Sequence, residues 1–210
     1  MGVEFIAGLH GHLHRPDAES RGALLLTHGA GSNCNAPLLV AVAGVFAEAG
    51  YTVLRYDLPF RQLRVQGPPR GAIAAQDREG LRKTAGELRR IAPGRLFISG
   101  HSYGGRQASM LAAEEPSVCD GLLLFSYPLH PPGKAEQLRT AHFPNLRIPV
   151  LFMHGTRDPF GSIEEMQEAQ RLIQAPVAME IVDGAGHDLK RGSGDIAQRA
   201  QAAFRTLTGN

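Results

Sequence analysis

The sequence predicts an α/β fold, a doubly wound and mostly parallel sheet preceded by an antiparallel N-terminal edge. Three observations predict it. Uninterrupted apolar runs of strand length, such as Ala23–Thr27 (Ala-Leu-Leu-Leu-Thr), recur along the chain, as strands buried on both faces of a parallel sheet require. Longer stretches of helical character separate them, closed by glycine or proline. Strand and helix therefore alternate, and the strands empty into short loops of small or polar residues. Sheets of this kind collect reactive groups beyond the carboxyl ends of their strands.

Taken in order, Val3–Ile6 and Leu9–His14 read as two short edge strands. His10, His12 and His14 alternate, so in a strand they share one face. Three imidazoles on one face form a conceivable zinc site, but only Asp17 and Glu19 lie nearby as acid ligands, and a polar face turned to solvent is the preferred reading. After Ala23–Thr27 comes the small-residue loop His28-Gly-Ala-Gly-Ser-Asn33, then a helix over Pro37–Ala49 stopped by Gly50. Tyr51–Tyr56 is the next strand, and the proline- and arginine-rich stretch from Asp57 to Gly71 reads as an irregular loop. A helix over Ala72–Ile91 is broken by Pro93-Gly94.

Leu96–Ser99 is a strand, Tyr103–Ala113 a helix, and Cys119–Phe125 another buried strand. Lys134–Thr140 is expected to form a short helix. Pro149–Met153 is the next strand. Ser162 caps a helix running to Ile173, with Glu165 completing a capping box. Val177–Val182 is the last strand and Asp195–Leu207 the last helix.

Composition narrows the function classes. A chain of 210 residues with 43% hydrophobic content has enough apolar material for a sizeable core, which excludes intrinsic disorder. No linker-like stretch divides it, so residues 1–210 are expected to form one domain. Net charge is only +2, and the densest basic group, Arg55, Arg61, Arg64 and Arg70, is expected to line a surface loop rather than grip nucleic acid. Cys34 and Cys119 make no disulfide framework and suit a reducing compartment. The N-terminus shows no signal peptide and no apolar run reaches membrane-spanning length. The expectation is a cytoplasmic protein with no nucleic-acid or membrane partner.

The chemistry centres on Leu96-Phe-Ile-Ser-Gly-His-Ser-Tyr-Gly-Gly-Arg106. Gly100-His-Ser-Tyr-Gly104 is a G-x-S-x-G pattern between a strand and a helix, the layout of a turn that lifts a serine hydroxyl above a sheet. With 25 glycines in the chain, chance yields the bare pattern about one time in eight; its strand–turn–helix setting makes it informative. A Cβ at either glycine would collide with neighbouring backbone. Ser102 is the candidate nucleophile.

A serine hydroxyl needs a base to take its proton and a third group to orient that base. His187 lies in the loop Asp183-Gly-Ala-Gly-His187 after the last strand, where small neighbours let the imidazole reach the serine. The competing histidines fit less well: His28 and His154 shape turns at strand ends, His101 points away from the serine, and His130 and His142 sit in a crossing loop. Asp158 follows the penultimate strand, and no carboxylate between Ser126 and Ala135 rivals it. Asp183 and Asp188 are too near His187 in the chain to orient its ring. Two backbone N–H groups must also meet the negative oxygen of a tetrahedral intermediate, at roughly 3 kcal/mol each in rate. Tyr103, directly after the serine, and Ala30, in the small-residue loop, are the candidates. Phe60, Tyr127 and Phe160 are expected, from loop position, to line an acyl pocket. This chemistry calls for no metal and no cofactor, and its partner is a small acyl ester.

Through His28-Gly-Ala-Gly31, Gly-His-Ser-Tyr-Gly-Gly105, His154-Gly-Thr-Arg-Asp158 and Gly-Ala-Gly-His187, the chain resembles the α/β-hydrolase superfamily over essentially its whole length. Thr27–Gly31, Ser126-Tyr-Pro-Leu-His-Pro-Pro132 and Gly155-Thr-Arg-Asp-Pro-Phe160 are similar to a small cap-less subgroup related to the testis-expressed and NSL-complex hydrolase-like proteins. A broader dienelactone-hydrolase-like group is also similar, but has cysteine where this chain has Ser102. The resemblance implies an α/β-hydrolase fold and hydrolysis of an ester or related acyl bond through a serine acyl-enzyme. The stretch Pro128–Pro149 is too short for a multi-helix cap, so the site is expected to be open. Thioester or peptide cleavage and acyl transfer use the same three residues, and a non-catalytic interaction module on this fold is a further reading.

Overall fold

The computed structural model describes residues 2–70, 72–190 and 193–209, with side chains described for all of these except 193–195. Eight strands form one sheet in the order β1-β2-β4-β3-β5-β6-β7-β8. β1 (Gly2–Ile6), β2 (Gly11–Arg15) and β4 (Thr52–Tyr56) pair antiparallel. From β4 through β3 (Ala23–Thr27), β5 (Leu96–His101), β6 (Leu122–Phe125), β7 (Val150–Gly155) and β8 (Val177–Val182) every pairing is parallel. This is the α/β-hydrolase fold.

The pleat explains why these runs are mostly apolar. Successive side chains alternate between faces, so a strand covered on both sides needs apolar residues at every position. Leu25, Ile98, Leu122 and Phe152 face one layer, built from α3 (Ile73–Ile91), α4 (Tyr103–Glu114) and α5 (Ile163–Gln170). Leu24, Leu26, Phe97, Leu123 and Leu151 face the other, where α1 (Pro37–Glu48) packs beside α6 (Ser193–Thr208). The capping box at Ser162 and Glu165 starts α5 as expected, although α5 ends in turns after Gln170.

Several expectations are corrected, although the absence of a cap is as expected. Pro59–Leu63 is a short helix, α2, inside the stretch read as irregular, with Pro59 at its first turn. Lys134–Thr140 is not helical but a series of turns, because the Arg139 backbone is drawn back onto the preceding segment, its N–H donating to Leu129 O and its carbonyl accepting from the Tyr127 hydroxyl; the rest of the crossing holds only a 3₁₀ turn at Phe143–Asn145. No cap stands over the sheet among the described residues. The histidine face is not turned wholly to solvent: β2 lies between β1 and β4, and His14 is 4% exposed, its Nε2 accepting from Arg55 Nε at 2.9 Å. His10 leaves the strand in a left-handed turn. Arg55 and Arg61, read as surface residues, are only 5% and 6% exposed.

Candidate active site

Each chemical group sits where the fold makes a strand end. β5 turns into α4 at Ser102, whose backbone adopts φ 51°, ψ −115°, a conformation non-glycine residues rarely take. Neighbouring backbone holds this strain. Ser102 N–H donates to Phe125 O at 2.8 Å, and Arg106 N–H donates to Ser102 O at 2.9 Å. A Cβ at Gly100 would lie 2.5 Å from Gly105 N, and one at Gly104 2.5 Å from His28 O. Both glycines of the motif are thus forced by contact.

Asp158 follows β7 and His187 follows β8. His187 Nδ1 lies 2.8 and 3.0 Å from the two Asp158 oxygens, and its Nε2 lies 2.8 Å from Ser102 Oγ. A carboxylate only accepts, so Nδ1 carries the proton, and the unprotonated Nε2 accepts from the serine hydroxyl. The Asp158 side chain is fully buried and also accepts from Phe160 N–H at 2.9 Å, whereas His187 is 22% exposed. The two loops are laced together: Arg157 N–H donates to Ala185 O, and Thr156 Oγ1 donates to Asp183 and accepts from Gly184 N–H.

Two neighbours flank the imidazole. His101 Nε2 donates to His187 O at 2.8 Å and so holds the His187 backbone. Burial keeps the His101 pKa below the usual histidine range. The Phe160 ring packs against His187 with centroids 4.2 Å apart. Of the three aromatic residues expected in a pocket, Phe160 alone stays partly exposed beside the imidazole. Tyr127 is fully buried among Phe143 and Phe152, its hydroxyl donating to Arg139 O at 2.6 Å, and does not line an open site. Phe60 is 4% exposed and packs edge-on against Tyr103. Loop position alone does not show which way an aromatic ring turns.

The Ala30 loop approaches from β3. A Cβ at Gly29 would lie 3.5 Å from Ser102 Cβ, which places this loop directly over the elbow. His28 Nε2 accepts from Leu58 N–H at 3.2 Å, so its proton is on Nδ1, which donates to Gly29 O at 2.9 Å. Ser32 N–H donates to the same carbonyl. Gly29 O and Ala30 N–H belong to one trans peptide and point in opposite directions, so fixing the carbonyl fixes the N–H. Burial lowers the His28 pKa, in keeping with this neutral tautomer.

A mostly apolar cavity of about 410 Å³ lies beside the site, between Gly31, Pro37, Leu39, His101, Leu189 and Lys190. None of the three expected aromatic residues lines it. Among the described residues no group of three His, Cys, Asp or Glu side chains is arranged to hold a metal, and no helix is long and apolar enough to cross a membrane.

Solved structures with this fold include TT1662 from Thermus thermophilus (24% identity, TM-score 0.77, each chain covered in full). A dienelactone hydrolase from Anabaena variabilis is also similar (24% identity, TM-score 0.72, 92% of this chain and 88% of that one). So is XC6422 from Xanthomonas campestris, described as a serine hydrolase without lid (16% identity, TM-score 0.73, 93% and 88%). At these identities the likeness establishes the fold. Residues 20–206 match the alpha/beta hydrolase domain family, and the chain belongs to that family.

Proposed function

We propose that the protein is a serine hydrolase that cleaves an ester or related acyl bond through Ser102, His187 and Asp158. The observation that carries this reading is the continuous hydrogen-bonded relay from Ser102 Oγ through His187 to a fully buried carboxylate. In the proposed reaction Ser102 Oγ attacks the substrate carbonyl while His187 Nε2 takes the hydroxyl proton. Asp158 holds the imidazole in the required tautomer and stabilises the imidazolium. The N–H groups of Ala30 and Tyr103 meet the oxyanion. Collapse of the tetrahedral intermediate breaks the bond to the leaving alkoxide, which takes the proton from His187 and leaves an acyl-serine. Water then repeats the sequence, with His187 as its base, and releases the acid.

The relay is built for acyl chemistry and is open, which supports a small or surface-presented acyl group. Phe160 on one side and the apolar cavity by His101 on the other offer it walls. The subgroup of testis-expressed and NSL-complex-related hydrolase-like proteins is the placement the Thr27–Gly31 and Gly155–Phe160 segments support within the family. Cys34 and Cys119 are free and buried, and burial pushes both thiols up to about 12. They are therefore inert, in keeping with a reducing, cytoplasmic setting.

The test is hydrolysis of a short-chain nitrophenyl ester by wild type and Ser102→Ala. The reading requires turnover by wild type and none above background by the variant; equal rates overturn it.

A further inference from the structure

We propose that Arg61 and Asp77 form a buried clamp that holds the two oxyanion donors in place, with Arg61 as the positioning residue for the loop that carries Ala30 and Asp77 for Tyr103. The inference rests on the serine-hydrolase reading and adds to it the residues that make the donor geometry rigid.

The Gly29–Ser32 loop needs such a device. With Gly29, Ala30, Gly31 and Ser32 it has almost no side-chain surface of its own to bury, and glycine gives its backbone wide freedom. Its conformation must be set through its carbonyls. The Gly29 carbonyl is held by His28 and by Ser32 N–H, and the Arg61 guanidinium holds those that follow: its Nε donates to Ser32 O at 2.7 Å and one terminal nitrogen to Ala30 O at 2.9 Å. The same head ties the loop to the segment behind it, through Gly67 O at 2.9 Å and Arg64 O at 3.1 Å. Five N–H groups in one planar fork suit several carbonyls at once, and an ammonium does not reproduce that spread. No carboxylate of the described residues pairs with Arg61. A 6% exposed cation whose hydrogen bonds all go to carbonyls is costly to bury, and the ordering of this loop is what it accomplishes.

The second donor is held from the same side. Asp77, fully buried on α3, accepts from the Tyr103 hydroxyl at 2.6 Å and from Phe60 N–H at 2.9 Å. Phe60 directly precedes Arg61, lies under its guanidinium at 4.9 Å and meets the Tyr103 ring edge-on at 5.6 Å. The clamp therefore closes from the Ala30 loop through Arg61, Phe60 and Asp77 to Tyr103.

The test compares wild type, Arg61→Met, Arg61→Lys and Tyr103→Phe. It measures nitrophenyl-ester kinetics and affinity for an aryl trifluoromethyl ketone, whose serine adduct carries an oxyanion. Rates are normalised to the serine that a fluorophosphonate labels to completion, so a loss of folded protein does not count. The clamp predicts that Arg61→Met lowers kcat about 10- to 100-fold with KM within threefold, since a small misplacement of donors costs this much. Ketone affinity falls by the same factor, and Arg61→Lys recovers only part of it. Tyr103→Phe keeps the N–H donor and loses only the anchor, so a smaller, parallel fall of about threefold or more is expected; it carries the test should Arg61→Met not fold. Folded variants with wild-type ketone affinity overturn the clamp alone. A wild type that neither turns over the ester nor binds the ketone overturns the hydrolase reading and the clamp with it.

Discussion

The two sides of the Ser102 elbow are built on different principles. On the side of β7 and β8, side chains hold side chains: His187 contacts Ser102 and Asp158 at 2.8 Å each. On the side of β3, buried polar side chains hold backbone: His28 fixes Gly29 O, and Arg61 fixes Ala30 O and Ser32 O. Groups that react must be particular residue types at particular strand ends. Groups that only present an N–H leave the residue type free and place the demand on whatever lies behind them. One side is therefore written as a motif, the other as packing.

The largest way to break this contrast is Asp158→Asn. An amide at this position disturbs the Nδ1–H tautomer of His187, and kcat on a nitrophenyl ester should fall about 10⁴-fold with little change in fold. Steady-state kinetics beside a circular dichroism spectrum checks this, and a fall under tenfold would remove the acid from the reading. Gly104→Ala strikes the join between the sides, because its Cβ would sit 2.5 Å from His28 O. Elbow and Ala30 loop must then separate, and kcat is expected to drop about 100-fold together with a lower thermal midpoint. A variant active at the wild-type rate would show that the two sides are not in fixed register.

Acid sharpens the contrast through stability rather than rate. Burial depresses His14 and His142 to about 4, with the nearby guanidinium of Arg55 adding to the effect at His14 and those of Arg106 and Arg78 at His142. Below the ordinary histidine pKa of about 6.5 the unfolded chain binds two protons that the folded one refuses. Stability from these residues is full above about pH 6.5 and is lost as pH falls toward 4. Urea midpoints at pH 7.5 and 5.0 should differ in that direction, and His14→Gln with His142→Gln should shrink the difference. Smallest is Tyr127→Phe: losing the buried bond to Arg139 O should cost about 1 kcal/mol of stability. The ester KM should not move; a several-fold change in KM would return Tyr127 to the pocket.

The same division explains what the sequence disclosed. The strands were legible because Ala23–Leu26, Leu122–Phe125 and Val150–Met153 are apolar at every position, as strands buried on both faces require. Ser102, Asp158 and His187 were nameable because each is a reactive residue type in a small-residue loop at a strand end. Arg55 and Arg61 were not, since arginines grouped with others nearby read as surface, and nothing local signals that carbonyls from a loop twenty to thirty residues earlier converge on them. Asp77 was hidden likewise, as one acid within a polar helix. Phe60 and Tyr127 were assigned to the pocket because an aromatic residue near a strand end looks the same whether its ring faces substrate or core. The cavity beside His101 was missed because Pro37, Leu39 and Leu189 are apolar residues of the kind that cores also use.

The central claim, that Ser102 is a nucleophile activated by this relay, is tested most directly by intact-mass and peptide analysis after exposure to a fluorophosphonate. The account predicts one adduct on native protein, located on Ser102, absent from Ser102→Ala and strongly slowed in His187→Ala. No adduct on folded wild type, or an equal adduct on Ser102→Ala, would contradict it.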